Sequence, residues 1–323
     1  GAPTAPQRIA GVRNRQAEGS VFGQMSVPIN AVLDLTLGGR VSVSRSAGQL
    51  IDDPDAISAS SKTRISFVPT VAVDWQISDR VSLYANYQEG VRAGGFALAP
   101  NGEGTPVGQE FQSDELGQVE LGVRWKQKDG EGLSLRAAVF GVDWSDIQAD
   151  LIGADGLPYT VNIGNGRIIG LDGEIRWRVS PALSLSAAGF FNGSFLYDMP
   201  APFDTPGRSS LPNIAENGAR LAAEWRFDLA RGISLTGDSS LRYVGKSDLG
   251  AGPLLNISQG DYIVADLGAR VGVGRWGLSV DVSNIGDVRG NSFAFGNPFG
   301  VQLRNQMTPL RPRTVRVGLD VRF

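Results

Sequence analysis

The side chains in this chain that could do chemistry are carboxylates, guanidinium groups and hydroxyls. Its 323 residues include no His and no Cys. The commonest general base, the commonest metal ligand and all thiolate or disulfide chemistry are therefore missing. Ser, Asp and Glu are plentiful, but without His or Cys they cannot complete the usual triads or zinc sites. The expectation is a protein that is not an enzyme and holds no metal or cofactor. Asp52-Asp53 reads as a solvated loop pair rather than a calcium site. Gly94-Gly95 and Gly164-Asn165-Gly166 read as turn punctuation rather than phosphate cradles. A net charge of -3 speaks against a nucleic-acid partner.

What remains is recognition by charge and aromatic surface, and the charges are regularly spaced. Glu120, Arg124 and Lys126 alternate with apolar residues, as do Asp172, Glu174, Arg176 and Arg178. Arg220, Glu224 and Arg226 repeat the pattern, followed by Asp266 and Arg270. A period of two requires strands with one polar and one apolar face. The last stretch shows it plainly: Val315, Val317, Leu319, Val321 and Phe323 alternate with Arg316, Gly318, Asp320 and Arg322.

No run of eighteen apolar residues occurs, which excludes a transmembrane helix. Membrane-spanning strands stay possible, because alternation averages to a mild hydropathy, here -0.08. In chain order the strands expected are a weak first one at Gln7–Asn14, then Ser20–Pro28, Ala31–Ser44, Thr63–Ile77 and Arg80–Val91, with the pattern continuing to a total of about 14. Long polar connections fall near Arg45–Ser61, Ala93–Ser113, Asp150–Gly166, Asp198–Ala215, Asp248–Gly260 and Val288–Arg311. Short turns alternate with them, at Ser78-Asp79, Ser180-Pro181 and Gly274 among others. Long and short connections in strict alternation suit an antiparallel transmembrane β-barrel and not a compact soluble domain.

Tryptophan placement agrees. Trp75, Trp125, Trp177, Trp225 and Trp276 lie on apolar parity beside short turns, the expected belt at one membrane–water interface. The charged parity then faces a solvated lumen. A ligand site, if present, is expected among lumen-facing residues near the long connections: Gln88, Arg92, Phe140, Trp144 and Asn192, with Arg92, Phe96 and Arg208 able to grip an anionic or aromatic solute.

Several stretches carry a more specific likeness. Glu120-Leu121-Gly122-Val123-Arg124 resembles the "ELG-x-[KR]" strand of TonB-dependent outer-membrane receptors. Ala137 to Gln148 is similar to their "avFy-x-dw-x-diQ" strand, and Asn162 to Glu174 to "N-x-g…i-x-G-x-E". Leu211-Pro212-Asn213-Ile214-Ala215 sits where the family has "lPnvP", with Ala215 in place of the usual Pro. Val282 to Asp287 resembles "v-x-Nl-x-D", and Pro312-Arg313 precedes a closing strand with a terminal aromatic, as in the family.

The resemblance implies the C-terminal portion of a 22-strand barrel, residues 1–323, with the plug domain and TonB box absent from this chain. It implies a Gram-negative outer membrane, a periplasmic C-terminus and extracellular long loops. With an even strand count, the first strand would also begin on the periplasmic side. The partners implied are outer-membrane lipid, an N-terminal barrel and plug portion, the TonB complex acting through that plug, and a small-molecule substrate. The opening Gly1-Ala2-Pro3-Thr4 has neither the basic start nor the apolar core of a signal peptide, so a removed signal or a downstream piece of a longer protein is expected. The favoured function is TonB-energised uptake of a scarce solute. A self-closing passive channel of about 14 strands and a structural barrel subunit of a larger assembly are the alternatives.

Overall fold

The computed structural model describes residues 12–50, 60–100, 106–127, 132–152, 158–201, 203–204, 210–229, 232–250, 257–291 and 308–321. In chain order the strands are β1 (Val12–Asn30), β2 (Leu33–Leu50), β3 (Ser60–Ser78), β4 (Val81–Arg92), β5 (Gly95–Pro100), β6 (Pro106–Phe111) and β7 (Asp114–Lys126). They continue with β8 (Leu133–Ser145), β9 (Gln148–Ile152), β10 (Pro158–Asn162), β11 (Asn165–Ser180), β12 (Leu183–Tyr197) and β13 (Asn217–Leu229). The remainder are β14 (Ile233–Val244), β15 (Ser247–Asp248), β16 (Ser258–Gln259), β17 (Tyr262–Val273), β18 (Trp276–Ser283) and β19 (Thr314–Val321).

Thirteen of these form one antiparallel sheet in the order β1-β2-β3-β4-β7-β8-β11-β12-β13-β14-β17-β18-β19. The other six make three hairpins, β5–β6, β9–β10 and β15–β16, within the long connections. Among the described residues β1 and β19 are the two ends of the sheet and do not pair with each other.

The strand count is one lower than the sequence pattern predicts. The segments expected at Gln7–Asn14 and Ser20–Pro28 belong to one strand from Val12, residues 7–11 lying outside the described residues. Gly19 and Gly23 thin out its apolar parity, but a backbone ladder does not depend on side-chain alternation. Pairing with β2 runs unbroken from Val12↔Leu50 to Pro28↔Asp34. The odd count also reverses the expected position of the first strand's start: Val12 lies at the long-connection end, whereas Val321 lies opposite Trp276 at the short-turn end. The connection expected at Arg45–Ser61 is strand at its two ends, since β2 reaches Leu50 and β3 starts at Ser60, and residues 51–59 lie outside the described residues.

Parity sorts the sheet into two faces. On one, the apolar residues have no protein against them: Ile65 is 73% and Leu319 is 70% exposed. A face of that kind requires an apolar solvent or partner. The other face is charged toward the short turns and becomes apolar toward the long connections. Along β11 the polar-face sequence reads Arg178, Arg176, Glu174, Asp172, Gly170, Ile168. At its upper end lies a buried cluster in which Val142, Ile168 and Leu196 from the strands meet Ile147, Leu151, Ile163, Leu211 and Leu249 from the long connections. Burying those loop side chains is what fixes the long connections over the polar face.

Candidate functional site

Two zones of the polar face merit separate description. The lower one, nearer the short turns, centres on Tyr84 of β4. Its hydroxyl donates to Glu120 Oε1 at 2.6 Å and accepts from Arg136 Nε at 3.1 Å. Arg136 also donates to Glu120 at 3.1 Å and lies 3.7 Å from Asp172. Arg124 donates to Asp74 at 2.6 Å and places its guanidinium 3.9 Å from the centre of the Tyr84 ring. The ring lies over Gly122, directly opposite it in register, where a Cβ would collide with the ring. Phe140 lies over Gly170 and Phe190 over Gly218 in the same way. An aromatic ring covering a cross-strand glycine restores packing that the glycine lacks.

The upper zone, the mouth, is tied together by Asp114, whose side chain is only 4% exposed. Arg92 grips it with two hydrogen bonds, at 3.2 and 2.5 Å. Trp144 Nε1 donates to it at 3.1 Å, and the Gln148 backbone N–H at 3.2 Å. The Gln148 side-chain amide donates in turn to the carbonyls of Ala93 and Gln112, at 3.1 and 2.9 Å. These bonds fasten the ends of β4, β7 and β8 to the start of β9. Asp114 escapes sequence reading because its partners lie 22, 30 and 34 residues away. Its partners are more legible, Trp144 and Gln148 from the family motif and Arg92 from parity.

The residues picked out as a possible ligand site are thus distributed. Gln88 is exposed on the polar face, 3.5 Å from Gln118. Arg92 and Trp144 are held by Asp114, although more than half of the Arg92 side chain stays exposed. Phe96 is buried against Gly48 of β2, where a Cβ would collide with its ring, and so is not part of an open surface with Arg92. Phe140 and Asn192 flank Gly170 on the polar face. Asn192 donates to the Ala215 carbonyl at 3.2 Å, while its buried Oδ1 has no partner among the described residues. Arg208 lies outside the described residues. Trp75, Trp125, Trp177, Trp225 and Trp276 all fall on the apolar parity of their strands, paired close to short turns, as Trp75↔Leu83 and Trp276↔Val273 show.

The motifs noted in the sequence act as loop anchors. Asn284, in the left-handed region at φ 51, donates to the carbonyls of Val288 and Arg311 and accepts from the Val288 N–H. Asp287 accepts from the Arg313 N–H at 3.0 Å, which brings the chain back to β19. Asn213, at φ 61, donates to the Leu249 carbonyl and accepts from Gln259. Among the described residues no three His, Cys, Asp or Glu side chains are grouped so as to hold a metal ion. No helix among them is long and apolar enough to cross a membrane, which says nothing of crossing by strands.

A sheet of this size, apolar outside, charged inside and closed over by long connections at one end, is the wall of a large β-barrel. The chain belongs to the TonB dependent receptor-like β-barrel family, whose model matches residues 1–285. No curated protein matches it. Solved structures share its fold at low identity. The ferric yersiniabactin uptake receptor FyuA from Yersinia pestis is 18% identical with a TM-score of 0.78, covering 97% of this chain and 47% of its own. The ferric preacinetobactin receptor BauA from Acinetobacter baumannii is 19% identical at 0.70, covering 95% and 43%. The copper transporter OprC is 15% identical at 0.71, covering 96% and 48%. This chain therefore spans about half the length of the structures it resembles.

Proposed function

We propose that the chain is the C-terminal wall of an outer-membrane receptor that takes up a scarce metal chelate when TonB acts on a plug. The observation that carries this reading is the mouth. The long connections fold over the polar face, are fixed by a buried apolar cluster and the Asp114 network, and leave Gln88, Phe140 and part of Arg92 on a pre-organised wall. Neighbours named for ferric siderophores and for copper support metal-bearing cargo.

Three further features support the setting. The apolar parity of β3 runs from Ile65 to Ile77. At about 3.3 Å per residue and a tilt of about 45° that is a band of roughly 28 Å, matching an outer-membrane apolar belt. The five tryptophans then mark the periplasmic interface, with the C-terminus on that side and the long connections outside. The unpaired β1 and β19 edges cannot face hydrocarbon, which calls for a further barrel portion between them.

Uptake by the intact receptor is the test. A metal chelate should accumulate in cells with TonB and not in cells lacking it. Steady large conductance from this chain alone in planar bilayers would overturn the plugged-receptor reading in favour of a passive channel.

A further inference from the structure

Two residues above Gln88 the polar face has a bare floor. Gly90 stands there on β4, opposite Leu116 of β7, and a Cβ placed on it would meet no atom within 4 Å. Arg92 bounds this gap on one side, and Gln88, opposite Gln118, on the other. Four residues of strand at about 3.3 Å each put Arg92 about 13 Å from Gln88, room for a compact solute between them. The floor is firmly held, since Leu116 packs on the buried cluster and Asp114 fixes Arg92.

The donors around the gap are incompletely used. Arg92 donates to Asp114 through Nε and Nη2, and Nη2 also donates to the Gln148 carbonyl at 2.8 Å. The two N–H groups of Nη1 have no partner among the described residues, and the side chain is 54% exposed. Gln88 Nε2 lies 3.5 Å from Gln118 Oε1, and Gln118 Nε2 lies 3.5 Å from Glu120, both at the outer limit of a hydrogen bond. These amides can turn to a third group without giving up a strong bond.

The donors come without spare positive charge. Asp114 balances Arg92 at 2.5 Å, and cations further along the wall are balanced too: Arg40 by Glu18 and Lys62 by Glu110, each at 2.7 Å, and Arg64 by Glu115. An anion entering the gap would shed water and, among the described residues around it, find no cation that is not already shared. A neutral solute presenting carbonyl oxygens sheds less, and it can accept from Nη1 and from both amides.

We infer that the gap over Gly90 is the part of the cargo site supplied by this chain, and that it takes an uncharged metal chelate by its carbonyl oxygens. In such a chelate the ligand oxygens cancel the charge of the metal. Asp114 is then a positioning residue, which holds Arg92 at the gap and neutralises it. The inference rests on the receptor reading above and narrows its cargo.

Isothermal titration of the purified intact receptor in detergent tests it with two probes, a neutral ferric tris-hydroxamate and a trianionic ferric tris-catecholate. The neutral chelate should bind the more tightly, by about tenfold or better. Gly90→Phe fills the gap from a position where its Cβ meets nothing. It should weaken binding of the neutral chelate about tenfold or more, as loss of a hydrogen bond to a charged donor implies. Gln88→Lys brings a spare cation to the gap and should narrow or invert the preference. Both variants should still migrate as folded barrels on unheated gels. Tighter binding of the trianionic chelate by the wild type, or an unchanged affinity in Gly90→Phe, would overturn the inference and leave the receptor reading in place. Binding of neither probe, with no TonB-dependent accumulation of either in cells, would overturn both.

Discussion

The polar face is built in two ways. From β3 to β11 its charges neutralise one another: Arg124 with Asp74, Arg136 with Glu120 and Asp172, Arg176 with Glu174. From β13 to β14 they do not. Arg220 stands directly opposite Arg242, and Glu224 directly opposite Asp238. Like charges at such positions repel. Among the described residues none of these four makes an ion pair or a side-chain hydrogen bond, nor does Asp281 across Gly268 from Asp238. The first stretch is complete in itself. The second is an exposed pattern of two cations above two acids, which a body carrying the opposite pattern, such as the plug of the proposed receptor, would complement.

The comparison rests on parity, and the largest expected effect tests that. Val315→Arg places a cation on the apolar face, six residues along β19 from the Val321↔Trp276 pair at the short-turn end, and in a bilayer it should cost about 2–4 kcal/mol at mid-depth. Denaturant unfolding in lipid vesicles measures it. A neutral result would mean that the two faces are assigned the wrong way round. The next effect separates the two stretches. Glu120→Ala strands the Tyr84 hydroxyl and Arg136, and should destabilise by about 2 kcal/mol. Glu224→Ala removes no partner and should stay within about 0.5 kcal/mol. Equal costs in the same unfolding assay would erase the distinction.

Parity was also what made the fold legible. Alternation in Thr63–Ile77 and Val315–Phe323, and the tryptophans beside short turns, needed only local sequence, and the faces of β3, β11 and β19 follow it. Other features depend on distant chain. β1 reads as two strands, the first of them weak, because Gly19 and Gly23 interrupt its apolar parity, yet its ladder to β2 is unbroken from Val12 to Pro28. Phe96 reads as an open aromatic, but β5 folds back onto β2, where Gly48 leaves room for its ring. Parity alone marks Arg92 as a ligand grip. Its bond to Asp114 depends on β7 pairing with β4, and Trp144 and Gln148 join from still further along the chain. Spacing gives the face on which a side chain stands, not the partner that a long connection delivers to it.

The smallest effect is the most informative about the open stretch. Arg242→Glu turns the Arg220–Arg242 repulsion into an attractive cross-strand pair, which should stabilise this chain by about 0.5–1 kcal/mol. The same change removes half of the cationic pair that the partner's acidic groups would meet. If the stretch is a docking surface, the variant therefore gains stability by itself and loses affinity for the plug portion. Unfolding of the chain and salt-dependent co-purification of the two portions read these separately. Gain in the first with no loss in the second would leave the like-charge rows as an internal feature of the wall, unconnected with any partner. Loss in the second that high salt reproduces in the wild type would tie them to electrostatic docking, because exposed charge pairs are screened over about 8–10 Å at moderate ionic strength.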